Sequence, residues 1–418
     1  MQTTPKSMRL QIGLFGRTNV GKSSFLNMIA AQDVAVTSSI PGTTTDVVEK
    51  AMELLPIGPV MFLDTAGIDD KSELSEARLR KTKAALERAE VCVLIAEAPI
   101  WSEFEEKIAS DALTHKIPLI VIINKADKFY VTEDFLENVK KKTDKIVICS
   151  SVDMSNRQSY ILDFKQKLIE AVPEESFRQP SLIGDLLSPG DIAVLVVPID
   201  LQAPKGRLIL PQVQAIRDAL DNGAATLVTK EKEYSSVLQS LKHPPGLVVC
   251  DSQVVSKMVT ETPLEIPCTT FSILCARFKG DLCEEIKGAA AIDSLSTGDK
   301  VLIAEACTHH ATEDDIGRAK IPRWLVQYCG KELQIDVCSG RDYPENLSQY
   351  KLVIHCGACM LTRREMLVRI QKAKQAGIAI TNYGVAISFL QGVLQRVLSP
   401  FPAALQNLQS NTNNIENR

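Results

Sequence analysis

The sequence predicts an α/β protein of several domains, and three observations carry the prediction. The 418-residue chain exceeds what one hydrophobic core usually supports. Short apolar runs alternate with stretches of helix-forming residues, the rhythm of parallel strands joined by crossover helices. That rhythm breaks at a polar, proline-bounded segment, Pro173 to Pro180, and resumes after it.

Taken in order, Met8 to Gly13 reads as a strand running into a glycine turn, and Lys22 to Ala30 has helical spacing. Val60 to Leu63, Val91 to Ala96, Leu119 to Ile123 and Lys145 to Cys149 follow as buried strands, with helical stretches such as Glu76 to Ala89 and Asp134 to Lys141 between them. This first domain is expected to end near Glu170 and Ala171. Beyond the linker come an apolar strand, Ile192 to Pro198, a helix, Gln212 to Leu220, and a strand, Leu247 to Cys250. A segment this short gains stability by pairing, which suits a dimerisation module. A third rhythm places strands at Lys300 to Ala304, Leu333 to Val337 and Lys351 to Ile354, then a helix from Arg364 to Ala376 and a strand from Ile378 to Thr381. Gln406 to Arg418 is rich in Asn, Gln and Ser and is expected to be disordered. The domains are thus read as residues 1–172, 181–262 and 265–404, with a tail at 405–418.

A net charge of −4 and a pI near 5.9 supply no bulk attraction for nucleic acid or anionic lipid. The Lys140-Lys141-Lys142 run is a solvated helix face. Met1 to Leu10 has no signal-peptide pattern, and no apolar run reaches the roughly 20 residues that span a bilayer, so a cytoplasmic protein is expected. In a reducing compartment the eleven cysteines are buried hydrophobes, ligands or reactive thiols rather than a disulfide framework.

Gly16-Arg17-Thr18-Asn19-Val20-Gly21-Lys22-Ser23, followed by Ser24, lies between a strand and a helix and fits the P-loop pattern. Its glycines let the backbone wrap phosphates, its amides and the helix N-terminus face their charge, Lys22 reaches the terminal phosphates, and Ser23 ligates magnesium. Asp64-Thr65-Ala66-Gly67 closes a strand where Asp64 holds magnesium through water and the Gly67 amide senses the terminal phosphate. Asn124-Lys125-Ala126-Asp127 closes another, where the Asp127 carboxylate accepts from guanine N1 and N2. Adenine lacks that donor pair, so ATP is rejected. Ser150-Ser151 follows the last strand and meets guanine O6.

These residues resemble the TrmE-Era-type translation-factor GTPases over about residues 8–172. The resemblance implies that Gly42-Thr43-Thr44-Thr45-Asp46 is the first switch, with Thr44 closing on magnesium, and that Asn19 coordinates an activating potassium ion. Ile68 stands where Ras-like proteins carry the glutamine that orients water, so hydrolysis is expected to be slow without help.

Far downstream, His355-Cys356-Gly357-Ala358-Cys359 and Cys307-Thr308-His309-His310 each follow a strand directly. Ligands collect at the carboxyl ends of strands in open α/β sheets, so the two segments converge if their strands are neighbours. Three thiols with His309 or His355 suit zinc; three thiols alone suit a 4Fe-4S cluster with one open iron; buried thiols without metal remain a third reading. Cys92, Cys149 and Cys250 lie in apolar runs and read as core, whereas Cys268, Cys275, Cys283, Cys329 and Cys338 lack a partner spacing. Arg318, Lys320, Arg323 and Arg341 read either as an anion pocket or as solvated surface charge.

The Cys307-Thr308-His309 and His355 to Cys359 segments together resemble the HydF family, the GTPases that mature FeFe-hydrogenase. Ser188 to Asp191, Pro198 to Asp200 and Ala203 to Arg207 resemble its dimerisation domain, and Arg277 to Asp281, Asp314 to Arg318 and Cys338 to Asp342 its cluster domain. The resemblance implies a P-loop GTPase domain with a mainly parallel sheet, a small α/β dimerisation domain and a C-terminal α/β iron-sulfur cluster domain. It implies a 4Fe-4S cluster on Cys307, Cys356 and Cys359, with His309 and His355 as neighbours or a weak fourth ligand. It also implies GTP, Mg2+ and K+ as cofactors, a diiron subcluster precursor as cargo, and a homodimer or higher homo-oligomer. Apo FeFe-hydrogenase and two radical-SAM maturases would be the partners, with no nucleic acid and no membrane. A GTPase of tRNA modification or ribosome assembly with a structural zinc domain, and a cluster-based redox-sensing GTPase, are the alternatives.

Overall fold

A computed structural model describes residues 4–30, 48–65, 76–172, 181–199, 208–306, 315–340 and 343–416. The chain divides after Gln179 into two compact units.

The first unit is a six-stranded sheet of order β2-β3-β1-β4-β5-β6, built from Leu10–Phe15 (β1), Val48–Leu54 (β2), Gly58–Asp64 (β3), Val91–Glu97 (β4), Leu119–Asn124 (β5) and Ile146–Ile148 (β6). Five strands are parallel, and β2 pairs antiparallel with β3. The β2 edge strand has no clear sequence signal, because its Glu and Lys residues interrupt the apolar run. Alternate residues of β4 serve opposite layers: Val91, Val93 and Ile95 pack with β1 Ile12 and Leu14 on one face, and Cys92 and Leu94 with Phe15 on the other. Helices Lys22–Ala30 and Arg157–Ala171 cover the first face, where Phe25 and Phe164 meet edge-on at 5.3 Å. The strand and helix boundaries agree with the sequence pattern to within a few residues.

The second unit holds two four-stranded parallel sheets. The middle sheet has the order β10-β9-β7-β8, from Ile192–Val196 (β7), Ala225–Thr229 (β8), Leu247–Cys250 (β9) and Cys268–Thr270 (β10). The last sheet has the order β12-β11-β13-β14, from Lys300–Ala304 (β11), Gln334–Cys338 (β12), Leu352–His355 (β13) and Ala379–Asn382 (β14). One hydrophobic core runs through both, joining Val194 and Val249 to Ile303 and Ile354. The expected boundary at 262–265 is corrected by β10, since Cys268 to Thr270 pair with Val248 to Cys250 and extend the middle sheet. Three residues are too few for a sequence pattern to reveal their sheet.

Helix Phe271–Lys279 leaves β10 and packs between the two sheets. Arg277 there donates to both Asp185 oxygens at 2.8 and 2.7 Å and to the Ser181 and Leu182 carbonyls. Helix Leu282–Ala290 lies against β14 so closely that a Cβ at Gly288 would stand 1.8 Å from the Ile380 carbonyl oxygen. The tail expected to be disordered instead belongs to a helix, Pro402–Glu416. Ala404 is buried and Leu405 and Leu408 pack on the shared core, a short apolar stripe that the polar composition conceals. Among the described residues no helix is long and apolar enough to cross a membrane.

Candidate functional site

The nucleotide motifs come together at the carboxyl edge of the first sheet. The loop after β1 carries Gly16 to Gly21, Asp64 ends β3, Asn124 ends β5, and Ser150-Ser151 follow β6. Lys22 is buried, and its ammonium donates to the carbonyls of Gly16 at 2.7 Å and Arg17 at 2.8 Å, which folds the side chain along the loop. The backbones of Asn19 (φ 63°) and Lys125 (φ 61°) are left-handed, conformations that cost energy outside glycine and cluster at functional loops. Gly21 has φ +98°, and a Cβ there would lie 2.2 Å from the Asn124 amide nitrogen. Ser23, Ser24 and Asn19 are exposed, as is Asp127, while Val20, Asp64 and Ser150 are buried.

Asn124 joins the parts. Its Nδ2 donates to the Val20 carbonyl at 2.8 Å, and its Oδ1 accepts from the Ser151 amide at 3.0 Å and hydroxyl at 2.8 Å. Lys125 pairs with Glu97 at 2.5 Å. One contact has no counterpart in the motifs: Arg17 pairs at 2.6 Å with Glu105, which is fully buried and also closes the capping box of helix Glu103–Thr114 with Ser102. The Ser102-to-Glu105 spacing is a cap signal, but nothing in it shows the link to the P-loop. Cys149 and Cys92 are buried core thiols as expected, and burial pushes Cys149 up to about 12. Thr44 and Gly67 lie outside the described residues.

The cysteine segments stand at the carboxyl edge of the last sheet. In register, Cys338 of β12, Ala304 of β11, His355 of β13 and Asn382 of β14 form one row across the strand ends. β11 and β13 are neighbours, as the convergence of the two segments requires. Cys356 and Cys359 are partly exposed, and the Ala306 amide donates to the Cys356 sulfur at 3.0 Å. Ala358, rather than Gly357, takes the left-handed turn between the thiols, with φ 52°. Cys307 and His309 lie outside the described residues, as does Arg341. Among the described residues no group of three or more His, Cys, Asp and Glu is placed to hold a metal ion. Of the two segments' thiols, those of Cys356 and Cys359 lie within the described residues.

His355 is buried with both ring nitrogens engaged. Nδ1 meets the Cys356 carbonyl at 2.8 Å, and Nε2 accepts from Arg369 at 2.7 Å. Burial first, and the Arg369 charge second, lower its pKa to about 3, so the ring is neutral and Nδ1 carries the proton. Arg369 also donates to the Gly340 carbonyl at 2.7 Å and covers the Tyr343 ring at 4.7 Å. The expected anion pocket is altered: Arg318 is paired with the buried Glu305 at 3.0 Å, and Lys320 donates to Gln253.

Two further residues reach the loop: Lys279, which the sequence marks only as a member of the Arg277 to Asp281 resemblance, and Cys275, which lacks a partner spacing. Lys279 is buried, and its ammonium donates to the carbonyls of Ala358 at 3.0 Å, Cys359 at 2.9 Å and Leu361 at 2.7 Å. Burial lowers its pKa, against the pull of the Cys275 and Cys359 thiols. Cys275, one turn earlier on the same helix, faces the loop, its Cβ lying 3.9 Å from where a Cβ on Gly357 would be. Neither shows a spacing pattern, because each reaches the loop from about eighty residues away.

The comparisons with known proteins divide along the same lines. Residues 11–125 match a family model described as a 50S ribosome-binding GTPase, 182–280 the hydrogen maturase F dimerization domain, and 283–400 the hydrogen maturase F tetramerization domain. Curated relatives include GTPase Der of Clostridium acetobutylicum, 38% identical over 138 residues, covering 32% of this chain and 31% of that protein. GTPase Der of Campylobacter lari is 31% identical over 258 residues and 54% of each. The tRNA modification GTPase MnmE of Prochlorococcus marinus is 35% identical over 147 residues, covering 34% of this chain and 31% of that protein. The chain spans about a third to a half of the length of these relatives. The boundary between the last two matches, at 280–283, agrees with the end of helix Phe271–Lys279 and not with 262–265. With a GTPase domain followed by both hydrogen maturase F domains, the chain has the architecture of the HydF family and belongs to it.

Proposed function

We propose that this chain is a GTP-hydrolysing scaffold that carries a 4Fe-4S cluster on Cys307, Cys356 and Cys359. Its role is to deliver a diiron subcluster precursor to apo FeFe-hydrogenase. The observation that carries the reading is the pairing of β11 with β13, which brings the strand leading to Cys307 beside the strand leading to Cys356 and Cys359. The donor chemistry fits an iron-sulfur group: partly exposed thiols, an amide directed at sulfur, and buried cations close by. A cluster bound there would supply an iron with an exchangeable position, while the chain supplies thiolates, orientation and positive charge.

In the GTPase domain Lys22 serves the terminal phosphates, Ser23 and Thr44 hold magnesium, Asp64 holds it through water, the Gly67 amide senses the terminal phosphate, and Asp127 reads guanine. Asn19 is the residue for potassium, and faster turnover in potassium than in sodium is expected; equal rates in the two salts remove that assignment. The dimerization and tetramerization matches support a homo-oligomer, and two radical-SAM maturases are the proposed donors of the cargo.

Anaerobic reconstitution of the full chain tests the reading. Iron and sulfide with a cluster EPR signal, and activation of apo-hydrogenase, are the expected results. Zinc without iron would instead favour a tRNA-modification GTPase with a structural zinc domain, tRNA modification being the role in the Prochlorococcus relative's name. A cluster without hydrogenase activation would leave a redox-sensing GTPase.

A further inference from the structure

The cysteine loop is gripped by two buried cations that reach it from different helices. Lys279, 2% exposed, ends helix Phe271–Lys279 and donates three hydrogen bonds to carbonyls of the loop that holds Cys359. Arg369, 8% exposed, comes from helix Arg363–Gln375 and donates to His355, whose other nitrogen meets the Cys356 carbonyl. Its second amino group holds the Gly340 carbonyl, in the segment that follows β12.

Neither cation has a carboxylate within ion-pair distance among the described residues. Glu365, the acid nearest Lys279 in charge terms, is committed to the capping box of its helix through the Thr362 amide at 2.8 Å and hydroxyl at 3.1 Å. Burying an ammonium or guanidinium without a counter-ion costs several kcal/mol in general terms, so uncompensated buried charges are rare. These side chains do more than fill space. Each satisfies carbonyl or imidazole groups of a loop whose Ala358 sits in a left-handed conformation that needs outside support.

Resting on the cluster reading above, we propose that Lys279 and Arg369 are positioning residues of the cysteine loop. They hold its backbone so that Cys356 and Cys359 present their sulfurs together, and they provide the positive charge that an anionic, thiolate-held metal cluster requires. Lys279 acts on the Cys359 side of the loop and Arg369, through His355, on the Cys356 side.

The test uses the full chain, reconstituted anaerobically with ferrous iron and sulfide. Wild type is compared with Lys279→Gln, which can still donate to carbonyls without a charge, Lys279→Arg, which restores the charge, and Arg369→Gln. Outer partners of metal ligands typically change affinity by about ten- to a hundredfold. Lys279→Gln is expected to lose iron by such a factor, and the cluster that remains should have a lower reduction potential and an altered EPR line shape. A nearby positive charge favours the more negative reduced state, which sets that sign. Lys279→Arg should return the potential toward wild type, and Arg369→Gln should weaken loading with a change in line shape. Thermal unfolding of each apo protein identifies a variant that fails to fold, and the comparison then rests on the variants that do fold. Wild-type loading with unchanged affinity, potential and spectrum in the folded variants would overturn the proposal. Wild type that takes up no iron would overturn the cluster reading beneath it.

Discussion

The two candidate sites occupy the same position in two unlike sheets, the carboxyl edge of parallel strands, yet the lysine that grips each loop comes from a different place in the chain. In the nucleotide loop Lys22, a member of the loop's own motif, donates to the Gly16 and Arg17 carbonyls. The cysteine loop turns three of its carbonyls toward Lys279, which reaches it from a helix about eighty residues away in the chain. One site is contained in contiguous motifs. The other depends on side chains supplied by helices distant in sequence.

Disabling each site in turn puts this contrast under the greatest strain. Lys22→Ala is expected to lower GTP turnover by at least about a hundredfold, as removal of a charge-stabilising donor does, while iron uptake persists. Cys356→Ser should abolish most iron uptake while GTP turnover persists. Both are checked by phosphate release and iron analysis, and loss of both properties in either variant would show that the sites are not separable. Asp127→Asn comes next in size. Losing one charged hydrogen bond, worth about 1.5–3 kcal/mol, should weaken GTP binding by roughly ten- to a hundredfold in a nucleotide titration.

Glu105→Gln tests whether the P-loop relies on a remote partner as the cysteine loop does. Arg17 would lose its buried counter-charge, and breaking such a pair costs about 3 kcal/mol or more, read as earlier unfolding of the GTPase domain by calorimetry. The smallest effect concerns Glu285, buried beside Gly280 with both oxygens lacking a partner among the described residues. Burial, then Asp281, raise its pKa from 4.5 to about 8. The unfolded chain gives up that proton from pH 4.5 upward and the folded chain does not. The contribution to stability is therefore whole below pH 4.5 and is lost as pH rises toward 8. Between about pH 5 and 6.5 the second unit should lose about 2 kcal/mol from this group, and Glu285→Gln should flatten that slope in denaturant titrations.

The same contrast explains how much is legible without the fold. Strands β1, β3 to β5, β7, β9, β11, β13 and β14 show in the sequence because short apolar runs, closed by turn residues, report burial on both faces, whereas β6 and β12 show as short apolar stretches with at most one buried residue. Strands β2 and β8 do not, since β2 is interrupted by charge and β8 carries threonines with only one residue buried. Strand β10 has three residues, too few to declare which sheet it joins. The nucleotide residues announce themselves by spacing, because one loop must wrap a phosphate chain of known size. Cys338 has no partner spacing in the sequence, yet it stands in the same row of strand ends as His355.

Contiguous residues alone specify the three-part α/β order, the nucleotide motifs at their strand ends and the Cys356–Cys359 pair, because periodicity and spacing are local properties of the chain. Folding in three dimensions settles the rest: β11 lies beside β13, His355 is neutral and already committed, and Lys279 and Arg369 close on the cysteine loop. Strand order and the burial of a charge arise from packing between segments far apart in the chain, and no local pattern encodes them.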